Sequence, residues 1–245
     1  MNQFNVKIAD VVFRVCANYQ ETMDYFSDFL TNEMEQERIT IYYEEITALK
    51  TEYPDYTDEM CERAALKYKM DSILVDYQTF ALHASALSYK GNAYLFTGLS
   101  GIGKSTHSRL WREAFRDEVI MINDDRPYLK LDNDTVYAYS HPQSGKHNIY
   151  TNISCPVRVI GKIVRDSSNY IRHVPRSEFF PFFVQQSFTM DKPSMTAKIV
   201  SNIRKMSMHI WFFEIHCCLD NKAAVEICSQ IDTFISSKQQ KNRIC

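Results

Sequence analysis

Glycine is scarce in this chain, with 6 in 245 residues, and proline is held to 7. That excludes collagen-like and flexible low-complexity architectures. Neither sign of charge dominates: 28 lysines and arginines face 30 aspartates and glutamates, a net charge of -2. Binding to nucleic acid through bulk charge is therefore not expected. No apolar run approaches the roughly 20 residues needed to cross a bilayer, so no membrane partner is expected. The N-terminal "MNQFNVKIADVVF" lacks a basic stretch followed by an apolar one, which predicts a cytoplasmic chain. The 7 cysteines are odd in number, include the adjacent pair Cys217 and Cys218, and form no C-x-x-C. Reduced, mostly buried thiols are expected, not a disulfide framework or a zinc site. What remains is ordinary globular composition, 45% hydrophobic and 24% charged, long enough for one sizeable domain or two modest ones.

The pattern along the chain predicts a mixed α/β (α+β) sheet protein. "DVVFRVCA" reads as a strand, "YQETMDYFSDFL" as a helix with Met23, Phe26, Phe29 and Leu30 near one face, and "RITIYYEE" as a second strand. Pro54 breaks the chain, and a helix is expected from about Asp58 to Tyr77. An N-terminal strand-helix-strand-helix subdomain over 1–77 and a nucleotide-binding catalytic domain over 78–245 are the expected units. "LHASALSY" and "AYLFTG" read as strands joined through "KGN", and "EVIMIN" as a buried strand. "RPYLKL" and "TVYAYS" form one expected hairpin around "DND", and "VRVIGKIV" and "YIRHVP" another around "DSSN". A helix near 194–208, the strand "HIWFFEIH" and a helix over about 222–237 close the chain. Trp111, Trp211 and the "FFPFF" run read as core or a partner-facing patch.

Half of the glycine falls in one place. Gly98, Gly101 and Gly103 lie within six positions, inside "YLFTGLSGIGKSTHSRLW". Gly98, Gly103, Lys104 and Ser105 satisfy G-x-x-x-x-G-K-S/T, the P-loop pattern. A loop that wraps phosphate must turn its backbone N–H groups inward, into dihedrals and close approaches that a Cβ obstructs. A helix starting behind the loop adds free N–H groups and the positive end of its dipole. The β-type run before the loop and the helical run after it supply the context the motif demands. Gly98, Ser100, Gly101, Ile102, Gly103, Lys104, Ser105 and Thr106 are accordingly the expected ATP-binding residues. Lys104 brings a charge to the β- and γ-phosphates, and Ser105 a hydroxyl to Mg²⁺.

"VIMINDD" ends a buried strand with two carboxylates, Asp124 and Asp125. Neighbouring side chains of extended chain point to opposite sides, so the two are expected to differ in role. One would hold magnesium and the other accept a proton from an attacking hydroxyl; on its own the pair is equally a solvated turn before Pro127. His83 precedes Gly98 by 15 positions, and strand histidines are commonly structural. "SHPQSGKHNIY" carries Lys146, which reads either as a second cation near the phosphates or as a solvated lysine in a turn.

Together, His83, "FTGLSGIGKST" and "NDD" resemble the catalytic domain of HPr kinase/phosphorylase. The stretch from about 78 to 165 is similar to the short bacterial HPr-kinase-like proteins of the phosphoenolpyruvate carboxykinase superfamily. The resemblance implies a mixed sheet carrying an unusual P-loop, not the doubly wound sheet of common P-loop NTPases. It implies that Asp125 accepts the proton of a serine hydroxyl, that Asp124 supports metal or geometry, and that His83 lies against the reacting phosphate. HPr kinases carry a glutamate where this chain reads "PQSGKHN", and Lys146 would there substitute in charge only.

The function expected from these residues is an ATP- and Mg²⁺-dependent kinase acting on a serine-type hydroxyl of a peptide or protein. Two alternatives stay open: a kinase of a small-metabolite hydroxyl, and a non-catalytic ATP-sensing module. A carboxykinase reaction is remote, because the ligands of its second metal site are not found. A homo-oligomer is an open option.

Overall fold

The computed structural model describes residues 1–145, 148–187, 193–218 and 220–244. The chain opens with the antiparallel strands β1 (Asn2–Ile8) and β2 (Val11–Ala17), the short helix α1 (Gln20–Tyr25), and β3 (Glu37–Thr40) parallel to β2. The strand expected over "RITIYYEE" stops at Thr40, because a helix, α2 (Tyr43–Glu52), starts three residues later. The Glu45 carboxylate reaches back to the Tyr42 amide at 3.0 Å and fixes that start. Helix α3 (Asp58–Leu74) follows and continues as a 3₁₀ turn to Tyr77. Cys61, Ala65, Leu66, Met70 and Leu74 form its buried stripe, packed on Val6, Phe13, Val15 and Ile39 of the small sheet.

The large sheet has nine strands among the described residues. They are β4 (Thr79–Ala81), β5 (Ala84–Tyr89), β6 (Asn92–Thr97), β7 (Val119–Asn123), β8 (Tyr128–Asp132), β9 (Thr135–Tyr139), β10 (Ser154–Arg165), β11 (Tyr170–His173) and β12 (Trp211–Cys217). Helix α4 (Lys104–Phe115) joins β6 to β7, α5 (Arg176–Gln186) and α6 (Pro193–Met206) lie between β11 and β12, and α7 (Ala223–Ile244) closes the fold. The order β4-β8-β9-β10-β6-β5-β7 mixes parallel and antiparallel neighbours. The twelve-residue β10 bends the sheet: Ser154–Pro156 pair with β9, and the stretch beyond pairs with β6 and with β12.

One hairpin differs from expectation. β10 and β11 flank their turn but do not pair; β12 lies between them, parallel to β10 and antiparallel to β11. The apolar residues of β12 explain its inner place. Phe212, Phe213 and Ile215 are buried, whereas β11 alternates exposed and half-buried residues as an edge strand does. The hairpin of β8 and β9 forms as the sequence predicts.

Topology brings the ends of three strands to one edge of the sheet. β6 and β7 both run antiparallel to β5, so both end where β5 begins, with Thr97 opposite Ala84 and Asn123 opposite Ala86. β10 runs parallel to β6 and ends at the same edge, at Arg165. Helices cover both faces. α4 and α7 bury Trp111, Leu110, Ile227 and Ile231 on one, and α5 and α6 bury Phe179, Phe183, Ile199 and Ile203 on the other. Each large apolar side chain removed from water contributes about 1.5–3 kcal/mol. The edge loops thus stand on a rigid platform. Among the described residues no disulfide joins the cysteines, and no helix is long and apolar enough to cross a membrane.

Candidate functional site

The loop from Gly98 to Gly103 leaves the end of β6 and turns directly into α4. Gly103 caps the helix at φ +118°, a conformation that an L side chain rarely adopts. The His107 amide bonds back to the Gly103 carbonyl at 2.8 Å, the first helical hydrogen bond. The amides of Lys104, Ser105 and Thr106 therefore precede the ladder and lie at the positive end of the helix dipole. Within the loop, the Ile102 amide bonds to the Leu99 carbonyl at 3.3 Å. From outside it, the Arg165 guanidinium donates to the carbonyls of Gly101 (2.8 Å) and Ile102 (3.1 Å). Holding two carbonyls on the β10 side orients the peptide units that carry the loop's N–H groups.

Lys104 is the first residue of α4 and is 9% exposed. Its ammonium donates to the carbonyls of Gly98 (3.1 Å) and Leu99 (3.3 Å). Burial lowers its pKa from the ordinary lysine value, and the carboxylates of Asp125 and Asp124 oppose that shift. The charge is thus held largely out of water on two backbone oxygens, where it acts strongly on an anion.

The two aspartates leave the end of β7 and are held differently. Asp124 Oδ1 accepts from the Ser85 hydroxyl at 2.5 Å, and Ser85 in turn shares a 2.6 Å bond with Ser108 of α4. Asp125 lies against Gly145: a Cβ placed on Gly145, whose φ is +73°, would sit 3.2 Å from Asp125 Cβ. The Asp125 carboxylate is 3.7 Å from the Arg126 guanidinium. Asn123 fixes this turn. Its buried Oδ1 accepts the amides of Asp125 (3.0 Å) and Arg126 (2.8 Å), and its Nδ2 donates to the carbonyls of His141 (3.0 Å) and Gln143 (2.9 Å). The loop after β9 is thereby tied to the aspartates, and the bond from the Asp124 amide to the Ile149 carbonyl (3.2 Å) ties its far end. Lys146, expected in this loop, lies outside the described residues.

His83 sits one residue before β5, half-buried, with its amide on the Gln186 carbonyl at 2.9 Å and its carbonyl accepting from Thr97 at 2.8 Å. Burial lowers its pKa; the charges of Lys104 and Arg126 add to that, and Asp125 opposes it. The ring is neutral near pH 7 and belongs to the same electrostatic cluster as Lys104 and Asp125. A buried histidine, His141, braces the aspartate turn. Its Nε2 bonds the Arg126 carbonyl at 2.6 Å, and its Nδ1 accepts the Gln143 amide at 3.2 Å.

His83, the loop from Gly98, Lys104, Asp124 and Asp125 thus converge on one edge of the sheet. Asn123, the first residue of "NDD", completes the arrangement together with Arg165, Ser85, Ser108 and His141, which carry no motif in the sequence. Ser105 is exposed and Thr106 half-buried at the helix start. Among the described residues no three His, Cys, Asp or Glu side chains converge as a metal site. A buried cation at a helix N-terminus, facing carboxylates, suits a phosphorylated ligand and a proton-accepting group beside it.

No family model and no curated protein sequence matches the chain. Among solved structures, the chain is similar to the Hpr(Ser) kinase/phosphatase from Coxiella burnetii, at 14% identity. The match covers 66% of this chain and 98% of that one, with a TM-score of 0.37. A likeness of that size carries no argument about chemistry, which rests on the geometry above.

Proposed function

We propose that the chain is an ATP-dependent kinase, with a P-loop fold of the HPr kinase and phosphoenolpyruvate carboxykinase type. It transfers the γ-phosphoryl group to a serine-type hydroxyl of a peptide or protein. The observation that carries this reading is the buried Lys104 ammonium, set at the start of α4 on the same edge of the sheet as Asp124 and Asp125. The catalytic unit is assigned to 78–245 and the N-terminal unit to 1–77.

In this reading the amides at the start of α4 and within the loop bind the β- and γ-phosphates, and Lys104 exchanges its carbonyl partners for phosphate oxygens. Arg165 keeps the loop in its binding shape. Asp125 receives the proton of the acceptor hydroxyl as that oxygen forms its bond to the γ-phosphorus. The bond to the bridging β-γ oxygen breaks, and ADP leaves with that oxygen. Neutral His83 lies beside the reacting phosphoryl group. The oxygen donors Ser105 and Asp124 suit a hard divalent cation, which takes only one or two protein ligands beside phosphates. They would hold Mg²⁺, whose contribution is to neutralise charge on the phosphate oxygens. Ser85 keeps Asp124 in place for that role. Positioning and electrostatics supply most of the acceleration.

The test is transfer of label from [γ-³²P]ATP to serine-containing peptides. Wild type is expected to label them, and Asp125→Asn to bind ATP with unchanged affinity while losing at least 100-fold in transfer. Equal transfer by the variant would remove Asp125 from its role.

A further inference from the structure

The seam between β5 and α4 changes character along its length. Away from the edge it is apolar: Leu87 and Tyr89 of β5 pack with Leu110 and Trp111 of α4, the Tyr89 and Trp111 rings 5.7 Å apart. At the edge the facing residues are two serines, Ser85 and Ser108, each 1% exposed. Alternation along β5 puts Ser85 on the same side as Leu87 and Tyr89. Ser108 lies one helical turn beyond Lys104. Hydroxyls buried in such a seam cost free energy unless they are hydrogen-bonded. Alanines of nearly the same size would pack it without that cost.

The two serines are bonded in a row that ends on Asp124. The Ser85 hydroxyl donates to Asp124 Oδ1 at 2.5 Å, and the two serine oxygens are 2.6 Å apart. A hydroxyl has one proton to donate, and a carboxylate only accepts. Ser85 gives its proton to Asp124, so the bond between the serines runs from Ser108 to Ser85. Ser108 Oγ is also 3.2 Å from the Lys104 carbonyl, at the start of α4. The row therefore joins the carboxylate at the end of β7 to the helical turn that carries Lys104 and Ser105. It engages one carboxylate oxygen: among the described residues, Asp124 Oδ2 accepts no hydrogen bond.

Building on the kinase reading, in which Ser105 and Asp124 hold Mg²⁺, we infer that Ser85 and Ser108 are positioning residues for that cation. They hold Asp124 by one oxygen, leave the other open, and set the carboxylate against the helix that supplies Ser105. Neither serine is a ligand. Ser108 acts through Ser85, and Ser85 through Asp124. Loss of a partner that holds a metal ligand from behind typically costs about 10- to 100-fold in metal affinity.

The experiment measures, by calorimetry on the full chain, the affinity for a non-hydrolysable ATP analogue with Mg²⁺ and again with EDTA in its place. The ratio of the two affinities reads the contribution of the cation. Wild type is expected to bind the Mg²⁺ form at least about 10-fold more tightly. Ser85→Ala is expected to bring the ratio near one, with the metal-free affinity within about two-fold of wild type. Ser108→Ala is expected to lower the ratio about three-fold, because Ser85 keeps its own proton for Asp124. Ser108→Thr, which restores a hydroxyl, is expected to recover most of that loss, and thermal unfolding checks that each variant folds. An unchanged ratio in both alanine variants would overturn the inference while leaving the kinase reading intact. Equal falls in both affinities would do the same, by showing that the serines serve packing alone. A wild type that binds the analogue equally with and without Mg²⁺ would remove the cation, and with it the role of both serines. A wild type that binds no analogue at all would overturn the kinase reading itself.

Discussion

Replacing Lys104 by methionine separates what the lysine does for the fold from what it does for a ligand. In the free protein its ammonium makes two hydrogen bonds to carbonyls, at 3.1 and 3.3 Å, worth about 1.5–3 kcal/mol each for a charged donor. Burial opposes that gain, as the lowered pKa of the amine records. Methionine keeps the apolar stem and removes both terms, so the free protein is expected to change in stability by about 1 kcal/mol or less. In the proposed nucleotide complex the same ammonium would face phosphate oxygens. Losing it forfeits about 3–4 kcal/mol net of the carbonyl bonds, a fall in ATP affinity of about 100- to 1000-fold. The assay is paired: calorimetry for ATP affinity, and thermal unfolding with and without ATP. At ATP one hundred times the wild-type Kd, wild type gains about 2.7 kcal/mol from ligand. A variant binding about 300-fold more weakly gains about 0.2 kcal/mol under the same conditions. An affinity within three-fold of wild type would show that Lys104 faces no phosphate.

Two further predictions follow from groups that no motif marks. Arg165→Ala frees the Gly101 and Ile102 carbonyls and is expected to weaken ATP binding about 10-fold, a loss of about 1–2 kcal/mol for a charged but exposed donor; Arg165→Lys, which cannot fork between two acceptors, should restore only part of it. The second concerns acid. His107 and His141 are buried, and burial pushes both pKa values down to about 3 from an ordinary 6.5. The unfolded chain then binds more protons than the folded one between those values, so stability falls as pH drops below about 6.5 and goes on falling toward 3. At pH 5 each costs about 2 kcal/mol relative to neutral pH. Urea unfolding at pH 7.5 and 5.0 measures the sum. His107→Gln, which keeps an acceptor for the Trp111 indole N–H, should remove about half of the dependence. Equal stability of wild type at the two pH values would contradict it.

The parts of the site that lie within one short stretch were legible in the sequence. The P-loop spacing is a local code, because the glycines, the lysine and the helix start must be consecutive to wrap a phosphate. "NDD" at a strand end marks the two aspartates for the same reason, and the structure places both at the end of β7. What could not be read depends on strands meeting across the sheet. Arg165 reaches Gly101 and Ile102 because β10 runs parallel beside β6, a pairing across some 60 residues that no local pattern encodes. Asn123 looks like any residue at a strand end until its amide is seen joining the aspartate turn to the loop after β9. The second hairpin failed because an apolar strand much later in the chain takes the place beside β10.

A crystal structure of the full chain with Mg²⁺ and a non-hydrolysable ATP analogue would probe the central claim most directly. The terminal phosphate is expected within hydrogen-bonding reach of Lys104 Nζ and the first amides of α4, with the Asp125 carboxylate facing it. A triphosphate seated away from residues 98–106, or an Asp125 carboxylate with its back to the terminal phosphate, would contradict the account.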